Sequence, residues 1–556
     1  MKKYSFLLIF LLLFMGRTSI NAQFRERAYL QTDKQMYLAG ELLWLKMYTT
    51  DMEGRLTSFS KIGYVELIRD SIPEIQVKLD IQGGTGAGWM ELPAMLPTGY
   101  YRITAYTRYM RNEGESVFFE KTIAIVNPFN PGATLYEGET NTSFTVRPVE
   151  KNMHQVNLSV DKPSYAKRSK GEIRLTGLPA ENISFGVSIA GIDPVLEANT
   201  SITEWKRQLT GSNTPFAGEP FLPEYEGAII DGVLIDQQTG QPAADPQSVN
   251  LLSFPGREIQ LFAGQADRNG HIAFYTQCVT GKQEMTTTAI AGTGKKYRVD
   301  VQPPFALHTP VRPPFFNPDS TWRAYLQRRN LDVQITHAYM ADSLSRIKKM
   351  VPCSWFRPNS RYELDEYTRF PNMEEVFIEF ITFARIRRTN EGRIFTMMTG
   401  GLDTYTNNVL VLLDNIPVAD HELLCSYSPL QIKTIEIHQG RYMFGGHLFD
   451  GIITFYSYKN DFPGITFGAN TQLFDYEGTQ PYRYFYAPDY DDTNKSSRMP
   501  DFRHSLLWEP TLQSYGQTEL VIPFTTSDLT GSFVITVEGI GANGTVVSAT
   551  QEIEVQ

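Results

Sequence analysis

The chain has 556 residues, a formal net charge of −10, 12% aromatic and 20% charged residues. At about 150 residues per domain it is too long for one hydrophobic core, and three to five domains are expected. The acidic balance excludes a basic nucleic-acid footprint and a polybasic membrane patch. The three cysteines, Cys278, Cys353 and Cys425, are odd in number and far apart, so no disulfide framework or metal-binding pair is readable from them. Small buried apolar residues are the first reading of all three, and an opportunistic pair the second.

Lys2 and Lys3, an apolar run over residues 6–14 and the stretch 17–22 read as a secretory signal over residues 1–22. Cleavage after Ala22 leaves 48 basic against 61 acidic residues, net −13. The apolar run is shorter than the ~20 residues of a spanning helix, so no membrane-spanning segment is expected in the processed chain. Abundant Tyr, Phe, Gly and Pro favour strands and turns over helical bundles.

Residues 23–130 open with Thr32-Asp33-Lys34, Tyr37 and Gly40-Glu41, a turn with a strand-packing Tyr between two strands. Strand-like runs follow at 64–68, 76–79 and 96–106, with the glycine-rich stretch 83–88 before the last. That stretch lacks the Lys-Ser/Thr and following helix of a phosphate loop, and reads as a turn. The motifs "TDKxxYxxGE" and "LPTGYYRITAYT" resemble a macroglobulin-like sandwich domain. Asp161-Lys162, Tyr165 and Gly171-Glu172 echo the opening motif, so residues 150–195 are expected to form a second such sandwich. Residues 196–224 lose the alternation and read as a linker, with one helical turn near 203–209.

Residues 225–302 alternate again, with a turn at Thr239-Gly240 and an Asp267-x-x-Gly270 turn into a strand. They resemble the carboxypeptidase regulatory-like domain, which implies a small sandwich and no peptidase. Prolines clustered over 303–321 predict a semi-rigid extended connector, and a helix is expected near 340–350. Met373, Val376, Phe377, Phe380 and Ile381 have helical spacing, with Glu374 and Glu375 in the first turn on a solvated face. From Asn407 to Ser457 the order is strand, the turn Asp414-Asn415-Ile416-Pro417, short helix, strand, Gly445-Gly446, strand. "LLDNIPV", "SPLQIKTIEI" and "FGGHLFDGIITFYS" resemble the plug domain of TonB-dependent outer-membrane receptors, here over 362–458 and with no barrel following. Asp489, Asp491 and Asp492 offer carboxylates for a cation, but without the Gly and Glu of an EF-hand they read as a solvated loop. Residues 500–556 alternate around a Gly-Ala-Asn-Gly turn and resemble a closing macroglobulin-type sandwich.

No catalytic constellation emerges. The eight histidines form no H-E-x-x-H motif, and no G-x-S-x-G elbow is present. His421 beside Asp420 is the one acid–base neighbour pair, with no nucleophile nearby. No cysteine has Gln three residues on, so the thioester of macroglobulin protease traps is absent.

The expected fold is mainly β: an array of Ig-like, macroglobulin-like β-sandwiches plus one small α/β plug-like domain. The module order resembles exported envelope proteins of Bacteroidetes-type bacteria. That resemblance implies a non-catalytic binding or scaffold protein with no cofactor, in the periplasm, at the outer membrane or on the cell surface, acting with an outer-membrane barrel or another envelope protein. The alternatives are a macroglobulin-like protease-interacting protein without a thioester, or a surface carbohydrate-binding accessory protein using the aromatics over 482–490.

Overall fold

The computed structural model describes residues 24–129, 156–193, 200–209, 221–256, 258–291, 295–311, 322–344, 346–348, 356–390, 392–399, 404–490 and 495–556. The signal segment 1–22, Cys353, Asp491 and Asp492 lie outside them. The architecture is mainly β.

Eight strands form the first sandwich: β1 (Arg27–Thr32), β2 (Met36–Leu38), β3 (Leu42–Thr50), β4 (Ile62–Arg69), β5 (Ile72–Asp80), β6 (Thr85–Glu91), β7 (Gly99–Tyr106) and β8 (Phe119–Val126). They build one sheet in the order β1-β3-β6 and one in the order β2-β8-β7-β4-β5. Gly83 and Gly84 turn β5 into β6 with φ of +58° and +81°, a conformation that costs a residue without Cβ little. The facing apolar sides bury Leu43, Leu45, Val65, Leu67 and Ile103. Helix α1 (Ile202–Gln208) is capped by the Ser201 side chain, which accepts from the Glu204 N–H at 3.2 Å. Its Ile202 and Trp205, with Leu209, enter the same core. The stretch expected as a linker therefore contributes to packing.

Next come β9 (Asn157–Val160), β10 (Ser164–Tyr165), β11 (Lys170–Thr176) and β12 (Ile183–Gly191). The third unit holds β13 (Ile229–Asp236), β14 (Val249–Ser253), β15 (Leu261–Gly264), β16 (His271–Tyr275), β17 (Lys282–Ile290) and β18 (Tyr297–Val301). Its sheets β16-β13-β18 and β15-β14-β17 close over Leu234, Leu252, Phe254, Phe274 and Val299. Residues 303–311 lie along the first sandwich, where Phe305 meets Tyr64 edge-on and Ala306 N–H donates to the Tyr106 hydroxyl at 2.8 Å.

Helix α2 (Arg323–Leu344) ends before most of the 340–350 stretch where a helix was expected. Its buried side chains include Arg329 and Asp332 beside Leu326 and Met340, so it shows no clean apolar stripe.

The α/β unit contains β19 (Ser360–Glu363), α3 (Met373–Glu379), β20 (Ala384–Thr389), β21 (Gly392–Met398), β22 (Tyr405–Thr406), β23 (Leu410–Leu413), β24 (Ile416–Pro417), α4 (His421–Cys425), β25 (Ile432–Phe444) and β26 (His447–Ser457). Its main sheet runs β19-β25-β26-β23-β24, beside a small sheet β20-β21-β22. Asp414 and Asn415 turn β23 into β24 with φ of +47° and +70°, as a two-residue hairpin requires. Met373 and Phe377 of α3 pack with Phe395, Ile435 and Phe455. A second cluster joins Leu410, Leu412 and Ile452 to Val249, Leu251 and Leu261 of the third unit. The unit is thus docked on its own chain.

Strand β27 (Thr471–Glu477) pairs antiparallel with β17 and extends the third unit's sheet. The chain ends in β28 (Ser505–Gln513), β29 (Glu519–Thr525), β30 (Gly531–Gly541) and β31 (Val546–Val555). These do not close a sandwich alone. They form the sheets β29-β11-β9 and β10-β31-β30-β12-β28 with the strands of 156–191, around one core that includes Ile173, Phe185, Ile189, Ile535 and Val547. The expectation of separate sandwiches over 150–195 and 500–556 is corrected to one composite sandwich. Alternation reveals that a strand has a buried face, but not which distant strand covers it.

Candidate functional site

Two groups of buried charges lie in the seams between units. Arg329 of α2 is fully buried between the first and composite sandwiches; it pairs with Glu41 at 3.1 Å and with Asp193. Lys34 reaches Glu41 at 3.1 Å, and the Tyr325 hydroxyl donates to Asp193. Burial works to raise the Glu41 carboxyl, but Arg329 and Lys34 outweigh it and hold it down at about 2. Close by, Lys46 donates to the Ser184 hydroxyl at 2.8 Å and the Phe185 carbonyl at 2.7 Å, and Tyr29 donates to Glu538 at 2.9 Å.

A second seam joins the first sandwich to the third unit. Glu224 accepts from the Tyr64 hydroxyl at 2.9 Å and the Ile229 N–H at 2.8 Å. Lys78 donates to the Tyr476 hydroxyl and the Glu477 carbonyl, both at 3.0 Å. Burial pushes Glu224 up to about 7 and Lys78 down to about 8. With Glu224 at 0% and Lys78 at 2% exposure, solvent and substrate do not reach them. They fasten domains.

Beyond β27 the chain becomes a strap over the first sandwich. The Gln480 amide accepts from the Trp89 N–H at 3.0 Å and donates to the Trp89 carbonyl at 2.8 Å, satisfying the edge of β6 as a neighbouring strand would. The Arg483 guanidinium stacks 4.4 Å from the Trp89 ring, and Phe485 meets Trp44 edge-on at 5.7 Å. Residues 346–348 pair with the strap through Lys348 N–H to the Tyr482 carbonyl at 2.8 Å and Tyr484 N–H to the Arg346 carbonyl at 3.0 Å. Between them opens a cleft of about 720 Å³ lined by Arg346, Ile347, Tyr484, Phe485, Tyr486, Ala487 and Asp489. The Arg346 guanidinium sits 5.2 Å from the Tyr486 ring centre. The aromatic stretch was visible in the sequence; Arg346 was not, since two main-chain hydrogen bonds bring it there.

The residues singled out from sequence are not brought together. Asp420 caps α4, and burial pulls His421 down to about 4 against the pull of Asp420. Glu375 and Asn372 form a reciprocal cap at the start of α3, and Glu374 pairs with Arg388 and Arg393. Asp489 pairs with Lys170 at 2.6 Å. Among the described residues no group of three or more His, Cys, Asp or Glu could hold a metal ion. Cys278 is disulfide-bonded, which decides for it between the two readings of the cysteines, while Cys425 is a free, buried thiol pushed up to about 12 by burial.

No family model matches the chain, and no curated protein matches it. Among solved structures, Escherichia coli alpha-2-macroglobulin in its native conformation is similar over 96% of this chain and 40% of its own, at 11% identity and a TM-score of 0.24. A Salmonella alpha-2-macroglobulin variant is similar over 95% and 39%, at 9% identity and 0.24. The Escherichia coli adhesin FdeC is similar over 50% and 64%, at 10% identity and 0.15. The chain spans about two fifths of the length of the alpha-2-macroglobulins, and these values carry no activity over to it.

Proposed function

We propose that the protein is a non-catalytic binding or scaffold protein of the bacterial cell envelope, acting with an outer-membrane partner. The observation that carries this reading is the use of five buried ionisable groups at the seams. Arg329, Glu41, Asp193, Lys78 and Glu224 are spent on holding units in a fixed arrangement, and none faces a cleft where a substrate could react. A fixed platform suits recognition, because little order remains to be gained on binding. The signal-like N-terminus and the disulfide at Cys278 support export to an oxidising compartment. Among the described residues no helix is long and apolar enough to cross a membrane.

The α/β unit remains the proposed contact with a barrel protein through residues 370–456. Ile378, Leu430 and Met443 are 68%, 52% and 72% exposed on it and serve as positions for a photo-crosslinking residue. In intact cells of the source organism, one reproducible outer-membrane protein crosslinked at these positions supports the reading. Recovery of the chain alone, without any envelope partner, overturns it. In the alternative reading as a protease-interacting protein, the cleaved segment falls outside 200–209, because Trp205 is locked against Tyr29 at 5.3 Å.

A further inference from the structure

We infer that the cleft between residues 346–347 and 484–489 binds an acidic oligosaccharide. Its volume of about 720 Å³ is that of a small-molecule site rather than a protein interface. Three aromatic side chains in sequence, Tyr484, Phe485 and Tyr486, line one wall, and Tyr484 is 48% exposed. A pyranose ring presents an apolar C–H face with hydroxyls around its rim. An exposed Tyr offers the complementary pair, a flat apolar body with a polar tip.

Charge narrows the ligand further. Arg346 forms no ion pair with a described residue and lies over the Tyr486 ring. A planar guanidinium carries a fork of N–H donors that fits a carboxylate in two parallel hydrogen bonds. Asp489, which lines the cleft, and its partner Lys170 supply a carboxylate and an ammonium for sugar hydroxyls. One cation lining the cleft, with no ion pair to a described residue, suits a sugar acid and not a polyphosphate or a nucleic acid, which need several.

The walls are also pre-set. Ile347 bridges to Arg483, Arg483 is stacked on Trp89, and Phe485 is seated on Trp44. The rings are therefore presented without ordering a loop, which lowers the entropic cost of capture. The inference does not depend on the envelope-partner reading, and failure of either leaves the other standing.

The test uses the processed full chain, residues 23–556, in calorimetric titrations with oligogalacturonate and with neutral maltooligosaccharides of matched length. Binding of oligogalacturonate is expected, falling with added salt. Tyr484→Ala should weaken it about tenfold or more, as loss of an aromatic anchor does. Arg346→Ala should abolish the preference for the acidic over the neutral ligand. Tyr515→Ala, at a 79% exposed Tyr elsewhere, should change nothing. Arg346 lies at the surface, so R346A keeps the test alive should Y484A fold poorly. No binding of oligogalacturonate, equal binding of the neutral sugar, or full binding by both cleft variants overturns the inference.

Discussion

The Tyr37 hydroxyl donates to Asp33 Oδ1 at 2.8 Å, and the same bond recurs between Tyr165 and Asp161 at 2.7 Å. In both cases that oxygen also accepts a backbone N–H eleven residues after the Asp, from Trp44 at 3.2 Å and from Glu172 at 2.8 Å. The Tyr-bearing strands match too. β2 runs parallel to β8, the last strand of its sandwich, and β10 runs parallel to β31. The sequence echo is thus a repeated way of closing a sandwich. Its two copies differ in burial: Asp33 is buried, whereas the Asp161 side chain is 31% exposed. Tyr37→Phe should therefore cost about 1.5–3 kcal/mol, the range for a hydrogen bond to a charged group, and Tyr165→Phe about 1 kcal/mol. Urea unfolding of the two variants side by side gives the comparison; a larger loss for Y165F contradicts the burial argument.

The composite sandwich makes a prediction about fragments. β30 pairs with β12 from Ile183↔Gly541 to Gly191↔Phe533, and β11 pairs with β29 along seven residues. A fragment of residues 500–556 keeps none of these ladders and exposes Ile535, Val537 and Val547. It should be unfolded by circular dichroism and by amide shift dispersion. Adding it to a chain truncated before residue 500 should restore a cooperative melt. A folded isolated fragment would show that the C-terminal strands have a core of their own.

This discontinuity also marks where sequence reading stops. The turns within 83–88 and 414–417 and the Asp-Lys-x-x-Tyr echo are local, set by residues a few positions apart, and each was legible. The pairing of β12 with β30 is not local. Their apolar alternation fits any opposing sheet, so nothing in either stretch names the other. Arg329 was hidden for a related reason. A charged residue mid-helix reads as solvent-facing unless its two carboxylate partners, Glu41 and Asp193, are known to be beside it. The cleft was half visible, through its tyrosines and not its arginine.

Arg329→Met should lower stability by about 3–5 kcal/mol, because Glu41 and Asp193 stay buried without their counter-ion. The sign of the pH dependence follows from Glu41, held at about 2 against an ordinary 4.5. In the wild type its contribution is present above 4.5 and lost as the pH falls towards 2. The variant has little of this contribution to lose, so the gap between the two should narrow on acidification through that window. Thermal melts at neutral pH and near pH 3 would test this, and a gap that widens in acid contradicts the role given to Arg329.

The cysteines predict a reagent count. Cys425 is free but buried, and burial holds its thiol up at about 12, so the native protein should resist alkylation. Denatured without reductant, the chain should take up one equivalent, at Cys425. After reduction it should take up three, the full cysteine content. Mass spectrometry reads both numbers, and three equivalents before reduction would remove the disulfide at Cys278.

His308 predicts an alkaline weakening of the contact between residues 303–311 and the first sandwich. Its Nε2 lies 2.8 Å from Glu66 and its Nδ1 2.9 Å from Glu115, so both ring nitrogens face carboxylates. Both can donate only in the imidazolium. Burial works to lower its pKa, but hydrogen bonds to Glu66 and Glu115 outweigh it and raise it above the ordinary 6.5. A raised histidine contributes stability that is fully present below 6.5 and lost as the pH climbs through the folded-state value. Glu66 keeps donors from Tyr106 and Gln76, and Glu115 keeps those of Thr309, so the carboxylates survive the loss. His308→Gln should therefore be less stable than wild type at pH 6, with the difference shrinking towards pH 9. Unfolding midpoints across that range decide it: a difference that stays constant would mean that His308 is held neutral, with only one nitrogen donating.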